Sequence, residues 1–353
     1  MIFKNLKIQK EKLSNRIVVS PMCQYAALDG VPSPWHYKHL GSMISSGASM
    51  IIIESTAINK TGRITTKDLC LYNTRQFYEM KKLIKYLKSI KNIPIIIQLS
   101  HAGKKGSSMI PWKKSNSPLK RNGWRTVSAS RIKKDKHWPY PRAANKNQIM
   151  KIIDDFKKSA LFAKKAGIDG IEIHMAHGYL LHQFISPVSN NRQDSYGGCF
   201  EKRIKFPLEV IRNIKKITKS NLILGARVTA TDHLSSGIRF RESLNLIKQL
   251  EIEGLNYVCL SSGGIKTKTK LNPNKKGIRI NFAKKAKKEI KNLIIGTTGN
   301  LSDLKYLNKT LEKKYLDLAF IGRPFLKNPN WLLNYAYNSG QIEIIPKQYS
   351  RAF

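Results

Sequence analysis

Ile171-Glu-Ile-His-Met-Ala-His-Gly-Tyr-Leu-Leu-His-Gln-Phe-Ile-Ser-Pro187 is the stretch that decides how this chain folds. A short apolar run, Gly170–His174, ends in two histidines three residues apart, His174 and His177, with Tyr179 two residues further on. Just before it, Lys146–Gly167 carries apolar residues at Ile149, Ile152, Ile153, Phe156, Ala160, Phe162 and Ala163, the spacing of one helix face. Gly167 stands where a helix ends on a left-handed residue. A helix that feeds a buried strand is one unit of an α/β protein. Titratable groups where such a strand ends suggest a site, because in a parallel barrel the chemistry gathers at the C-terminal ends of the strands.

The same alternation extends in both directions. Apolar runs too short for helices recur at Ile17–Ser20, Met50–Glu54, Pro94–Leu99, Gly170–His174, Leu222–Val228, Tyr257–Ser261, Leu293–Thr297 and Leu316–Gly322. Nearly continuous apolar runs are how parallel strands buried on both faces read. Phe200–Thr218, Arg241–Gly254, Phe282–Lys291 and Leu301–Lys313 have helical period. The expected fold is therefore α/β: a single (β/α)8 TIM barrel over residues 1–353, capped by an N-terminal β-hairpin within Ile2–Asn15. An open doubly wound sheet is the runner-up, but the glycine-rich phosphate turn expected after an early strand is missing. Ser107–Asn147 stands outside the alternation, with Pro111, Pro118, Pro139, Pro141 and the tryptophans Trp112, Trp124 and Trp138. A segment of that length inside a compact fold is usually functional or mobile.

Composition narrows the class. The chain has 353 residues, 41% of them hydrophobic, enough for one large core. No apolar run approaches the ~20 residues needed to span a bilayer, and the N-terminus lacks a signal-peptide core, so a soluble, cytoplasmic protein is expected. Cys23, Cys70, Cys199 and Cys259 are far apart, which fits neither a disulfide framework nor a metal-ligand run; no metal site is expected. The formal net charge is +42. Lysines are scattered over helices, loops and both ends, in a chain rich in Ile and Asn. That favours compositional drift over a nucleic-acid or membrane surface.

Polar groups fall just after the strands. Ser20-Pro-Met-Cys-Gln-Tyr25 follows the first, Ser55 the second, Gln98 and His101 the third, and Arg227 lies near the end of the fifth. Gly296-Thr-Thr-Gly299 and Gly322-Arg323 end the last two, where backbone N–H groups and one arginine suit a phosphate. Two histidines and a tyrosine suit an oxygen that gains electron density, plus a proton donor. Each residue alone has a blander reading. The histidines could be a structural pair or, with His182, a zinc site; Cys23 a small buried hydrophobe; Tyr25 and Tyr179 packing residues.

Four pieces in this order, Ser20-Pro-Met-Cys23, Gln98-Leu-Ser-His-Ala-Gly-Lys-Lys105, Ile171-Glu-Ile-His-Met-Ala-His-Gly-Tyr-Leu180 and Phe320-Ile-Gly-Arg-Pro324, resemble the Old Yellow Enzyme family of flavin-dependent ene-reductases. The similarity runs essentially end to end and is nearest the NADPH dehydrogenase class, YqjM-like or xenobiotic-reductase-like. It implies an FMN-binding barrel over residues 1–353. Ser20, Pro21, Met22, Cys23, Ser55, Gln98, Arg227, Gly296, Gly322 and Arg323 would be cofactor-binding. The last of these, with the two glycines, would take the phosphate, while Arg227 would sit by the flavin atoms that gain charge. The resemblance further implies NADPH as hydride source and an electron-poor alkene as substrate. His174 and His177 would bind its oxygen, Tyr179 would be the proton donor, Cys23 would tune the flavin, and Tyr25 would touch the substrate. Arg351 would reach the active site of a neighbouring copy in a homodimer or homotetramer. Tyr196-Gly-Gly-Cys199 and Lys202 depart from the common pattern. Two alternatives compete: a tRNA-modifying flavin barrel like dihydrouridine synthase, and a catalytically inactive barrel that binds nucleic acid through its charge.

Overall fold

The computed structural model describes residues 1–113, 117–218, 221–266, 272 and 275–353. The chain begins with an antiparallel hairpin, β1 (Leu6–Ile8) and β2 (Glu11–Leu13). β3 (Ile17–Val19), α1 (Pro34–Ile44), β4 (Met50–Ala57), α2 (Thr74–Ile90) and β5 (Ile95–Ser100) follow. The long segment after β5 contains a short parallel pair, β6 (Val127–Ser128) and β7 (Arg142–Ala143). Next come α3 (Lys146–Lys165), β8 (Gly170–Met175), α4 (Leu180–Ile185), α5 (Phe200–Thr218), β9 (Ile223–Thr229) and α6 (Phe240–Ile252). The chain continues through β10 (Tyr257–Ser261), α7 (Ile280–Glu289), β11 (Ile294–Thr297), α8 (Leu304–Glu312), β12 (Leu318–Ile321), α9 (Arg323–Lys327) and α10 (Trp331–Asn338).

Eight strands close into one parallel barrel in the order β3, β4, β5, β8, β9, β10, β11, β12, with β12 pairing back to β3. This is the (β/α)8 architecture. Each strand is a run of Ile, Val or Leu, such as Ile51–Ile53 and Ile95–Ile97, buried on both faces because helices cover the outside. Local chemistry sets the helix starts: the Asn73, Asn145 and Asp303 side chains accept from the backbone N–H groups of Gln76, Gln148 and Tyr306. Gly167, at φ +86°, turns the chain after α3.

The hairpin has a clear job. Ile8 and Leu13 are buried in one cluster with Met50, Ile96, Ile223, Tyr257 and Leu318, from the first residues of their strands, and with Phe320 further in, so β1 and β2 plug the N-terminal end of the barrel. Tyr257 and Phe320 stack within the lumen, ring centroids 5.6 Å apart. Gly225 and Gly296 make room for them: a Cβ on either would overlap the Tyr257 or Phe320 ring respectively. With the bottom filled, only the opposite end is open for chemistry.

α1 and α2 go beyond the sequence reading, although α2 carries a clear stripe at Met80, Leu83, Ile84 and Leu87. The described residues of the Ser107–Asn147 segment are held by specific contacts. Trp138 is buried, and Arg192 donates to the carbonyls of Ala129 (2.8 Å) and Ala144 (2.6 Å) while its Nη2 pairs with Asp194 at 2.5 Å. The turn-rich loop at 191–198 thus ties this segment to the barrel. Among the described residues no helix is long and apolar enough to cross a membrane.

Candidate active site

The site is built from turns that leave the C-terminal ends of the strands. β8 ends at His174 and Met175, and the chain then reverses through two left-handed residues, His177 at φ +58° and Gly178 at φ +74°. A Cβ on Gly178 would collide with the Gly264 carbonyl, so the turns after β8 and β10 meet backbone to backbone. Lys105 clasps the junction, its Nζ donating to the His177 carbonyl at 2.7 Å and the Gly264 carbonyl at 3.3 Å. Burial lowers this lysine to about 8. Thr229 Oγ1 accepts from the His177 backbone N–H at 3.2 Å.

This clasp aims the two imidazoles at each other. His174 Nδ1 accepts from the Ala176 backbone N–H at 3.2 Å, which assigns its proton to Nε2. That nitrogen lies 3.3 Å from His177 Nδ1, and His177 Nε2 is 2.6 Å from Ser261 Oγ. Burial, and then the Arg227 charge, push both rings well below the ordinary histidine range, so both are neutral donors at neutral pH. Tyr179 stands edge-on to His174, centroids 4.7 Å apart, with the Lys105 ammonium 5.1 Å from the centre of its ring. Burial holds its phenol well above the usual range, so it keeps its proton at neutral pH. His182 stays structural: its Nδ1 accepts from the Gly178 N–H at 2.8 Å and its Nε2 lies 3.1 Å from Asp232. Among the described residues no cluster of three or more His, Cys, Asp or Glu could hold a metal.

The turn after β3 faces this group. Cys23 is half-buried, and burial, Glu54 and Asp68 raise its thiol well above the ordinary range, so it is a thiol rather than a thiolate. The Ser55 backbone N–H donates to its sulfur, and Tyr25 hydrogen-bonds it. Tyr25 adopts φ +50° and packs edge-on against Trp112 at 5.9 Å. Glu54 anchors the turn from below: its carboxylate accepts from the Gln24 backbone N–H at 2.8 Å and lies 3.1 Å from His36 Nε2. The register of β4 against β5 shifts between Ile53 and Thr56, which re-aims Glu54 and Ser55.

Inside the mouth, Gln98 donates from Nε2 to Glu172 Oε1 at 2.6 Å, and the Tyr257 hydroxyl donates to Oε2 at 3.1 Å. Burial raises the Glu172 carboxyl, and the nearby Arg227 charge opposes that.

A cavity of about 850 Å³ opens beside the histidines. Ser20, Pro21, Met22, Gly322 and Arg323 line one side, His177 and Arg227 another. The Ser20 hydroxyl and Arg227 Nε are buried there with no hydrogen-bond partner among the described residues. Orphaned groups of that kind in a cleft of this size fit a bound ligand that is partly planar and anionic. Gly296 is placed apart from the cavity wall, under Phe320, and the β11 turn contributes Thr298 and Gly299 instead. Arg351 lies exposed in the short helical turn Lys347–Ala352, outside this wall. Sequence reading overlooked Lys105, Glu172, Glu54 with His36, and Arg279, which also lines the cavity. Lys105 and Glu172 lie in quoted motifs, whereas Arg279 sits in a lysine-rich stretch with no local signal.

The profile of the NADH:flavin oxidoreductase / NADH oxidase family matches residues 1–340. NADPH dehydrogenase of Listeria welshimeri is 33% identical across 100% of this chain and 99% of its own length. NADPH dehydrogenase of Bacillus subtilis is 32% identical over the same shares. The structure of morphinone reductase in complex with tetrahydroNAD superposes with a TM-score of 0.79 at 24% identity, over 96% of this chain and 91% of that one, and so speaks to the fold. The chain therefore belongs to the NADH:flavin oxidoreductase / NADH oxidase family, the Old Yellow Enzyme family, and is an NAD(P)H-dependent flavin oxidoreductase with FMN as its cofactor.

Proposed function

We propose that this protein is an ene-reductase: it takes a hydride from NADPH and delivers it to the β-carbon of an alkene activated by a carbonyl or nitro group. The observation that carries this reading is the pair of neutral imidazoles, His174 and His177, beside a protonated Tyr179 at the mouth of an arginine-lined cavity. Such a set has donors for an oxygen and a proton for a carbon.

The residues present fit FMN. Ser20 and Arg227 offer buried polar atoms without a partner among the described residues, and Gly322 with Arg323 forms a cationic turn. We assign cofactor contacts to Ser20, Pro21, Met22, Cys23, Ser55, Gln98, Arg227, Gly322 and Arg323, and to Thr298 and Gly299 of the β11 turn in place of Gly296, with residues 1–353 acting as one FMN-binding barrel. Bound FMN supplies a two-electron carrier, reduced by NADPH in one half-reaction and oxidised by the alkene in the other.

The chain's own groups do the rest. His174 Nε2–H and His177 donate to the substrate oxygen; as neutral donors they stabilise developing negative charge without forming a buried ion pair in the resting state. Tyr179 gives its proton to the α-carbon, and Lys105, above its ring, favours the phenolate left behind. Arg227 holds positive charge where the reduced cofactor is negative. The Cys23 thiol and Tyr25 border the ring and the substrate. Arg351, exposed near the C-terminus, is assigned to a neighbouring copy's active site, which makes the working unit a homodimer or homotetramer.

An anaerobic absorbance titration tests the reading. The yellow protein should bleach on adding NADPH and regain its colour on adding cyclohexenone. Bleaching without recolouring would overturn the ene-reductase assignment and leave only the dehydrogenase half.

A further inference from the structure

Three consecutive strands of the barrel, β10, β11 and β12, each send one group into the same corner of the cavity. After β12 comes Arg323, after β11 Gly299, and at the start of α7, on the return from β10, Arg279. Arg279 is half-buried and donates through Nε to Ser262 Oγ at 2.8 Å. That bond orients the guanidinium, and among the described residues its two Nη groups have no hydrogen-bond partner. Nη1 rests on Gly299, where a Cβ would collide with it, and Gly299 itself adopts φ +119°. The backbone at 299 and the Arg279 fork therefore share one small space, which a side chain would fill.

The corner is strongly basic. Arg227, Arg279 and Arg323 all line the cavity, and among the described residues no carboxylate pairs with any of them. Burial, then the charges of Arg227 and Arg323, lower Arg279 to about 10, so it remains cationic at neutral pH. Arg227 is nine-tenths buried, with an unpartnered Nε. Glu172 bears on Arg227 from below, but among the described residues no carboxylate lies within ion-pair distance of Arg279 or Arg323, and like charges held together in this way suit an anion. A single arginine and backbone N–H groups would suffice for a phosphate; a second, pre-oriented fork on the opposite side makes a clamp.

We propose that Arg279 is a ligand of the FMN phosphate, closing on it from the β10 side while Arg323 holds it from the β12 side, above the Gly299 turn. This rests on FMN occupying the cavity, and it adds a residue to the cofactor contacts proposed above. The fixed guanidinium presents two parallel N–H groups to two phosphate oxygens, a geometry that a lysine cannot reproduce.

The test separates the phosphate from the rest of the flavin. Apo-protein prepared from the holoenzyme is titrated with FMN and with riboflavin, following flavin fluorescence, for wild type, R279Q, R279K and R323Q. R279Q should weaken FMN by about 10- to 100-fold, the loss of one charge-assisted contact, and leave riboflavin within about twofold. R279K should recover only part of that loss, and millimolar inorganic phosphate should compete with FMN on wild type but far less on R279Q. Equal losses for FMN and riboflavin, with an unchanged melting temperature, would make Arg279 a wall of the flavin rather than a phosphate ligand and overturn the proposal. Unchanged FMN affinity in R279Q would overturn it as well. Wild-type protein that bound neither flavin would instead sink the cofactor assignment itself.

Discussion

Replacing His177 with alanine tests the oxygen-binding role most directly, because the structure separates that role from folding. The His177 backbone is held independently of its ring: its N–H goes to Thr229 Oγ1 at 3.2 Å and its carbonyl takes Lys105 at 2.7 Å. Among the described residues the ring hydrogen-bonds His174, at 3.3 Å, and Ser261, at 2.6 Å, and it is half-buried. Removing it therefore leaves no backbone group unsatisfied and should cost little stability, below about 1.5 kcal/mol. Losing one of two donors to a developing oxyanion costs about 2.7–4 kcal/mol, or about 10²–10³ in rate. His174→Ala is a poorer probe. It orphans the Ala176 N–H, costing about 1–3 kcal/mol more in stability, and opens a hole beneath Tyr179. The assay is stopped-flow absorbance on His177→Ala: reduction by NADPH, then reoxidation by cyclohexenone or by dioxygen, which needs no carbonyl donor. Reoxidation by the enone should slow by about 10²–10³ while reoxidation by dioxygen stays within a few fold. An equal loss with both oxidants, or no loss with the enone, refutes the donor role.

Three further outcomes follow from the same geometry. Lys105→Met removes both clasps on the β8 and β10 turns; urea unfolding should show a loss of about 1.5–3 kcal/mol together with slower enone reduction, and a variant as stable and active as wild type would discount the clasp. Gly178→Ala forces a Cβ into a left-handed position against the Gly264 carbonyl; it should cost about 2–4 kcal/mol by denaturant titration, and a loss below about 1 would contradict the close approach. The third concerns acid. Burial lowers His101 to about 3 and holds His174 far below its ordinary value, so both remain neutral in the fold while the unfolded chain takes up protons below about pH 6.5. Because these folded values are depressed, their stability contribution is present above pH 6.5 and is lost as pH falls, by roughly 1.4 kcal/mol per pH unit for each ring. Melting temperatures should fall from pH 7 to pH 5, and His101→Phe should flatten the slope; a flat wild-type profile would exclude neutral buried rings.

The fold could be read from the sequence because it rests on local signals. Runs of Ile, Leu and Val alternating with helical stripes describe a parallel barrel before any contact is known, and every barrel strand falls on one of those runs. The hairpin cap was visible too, as a short segment ahead of the first run, though not its purpose. That purpose depends on Ile8 and Leu13 meeting Tyr257 and Phe320, residues hundreds of positions away. The end of the barrel that carries chemistry was also legible, since polar groups such as Ser20, Gln98, His174 and Arg227 punctuate the strand ends.

What the sequence by itself determined is thus the order of elements and the kind of groups at their ends. Only the tertiary structure decided which of those groups meet, and in what protonation state. Glu172 reads as one more polar residue in an apolar strand; its partners, Gln98 and Tyr257, come from β5 and β10, and only closure of the barrel brings them together. Gly296 and Gly299 look alike along the chain, but one makes space for a buried ring and the other turns the backbone beneath an arginine. Arg279, in a lysine-rich stretch with nothing local to mark it, becomes part of the site because β10, β11 and β12 are neighbours. Neutral histidines likewise follow from burial and from Arg227's charge across the mouth, which are properties of the assembled barrel. Local pattern encodes which way each segment prefers to fold and what it carries; distance, burial and charge balance exist only once the eight strands have closed.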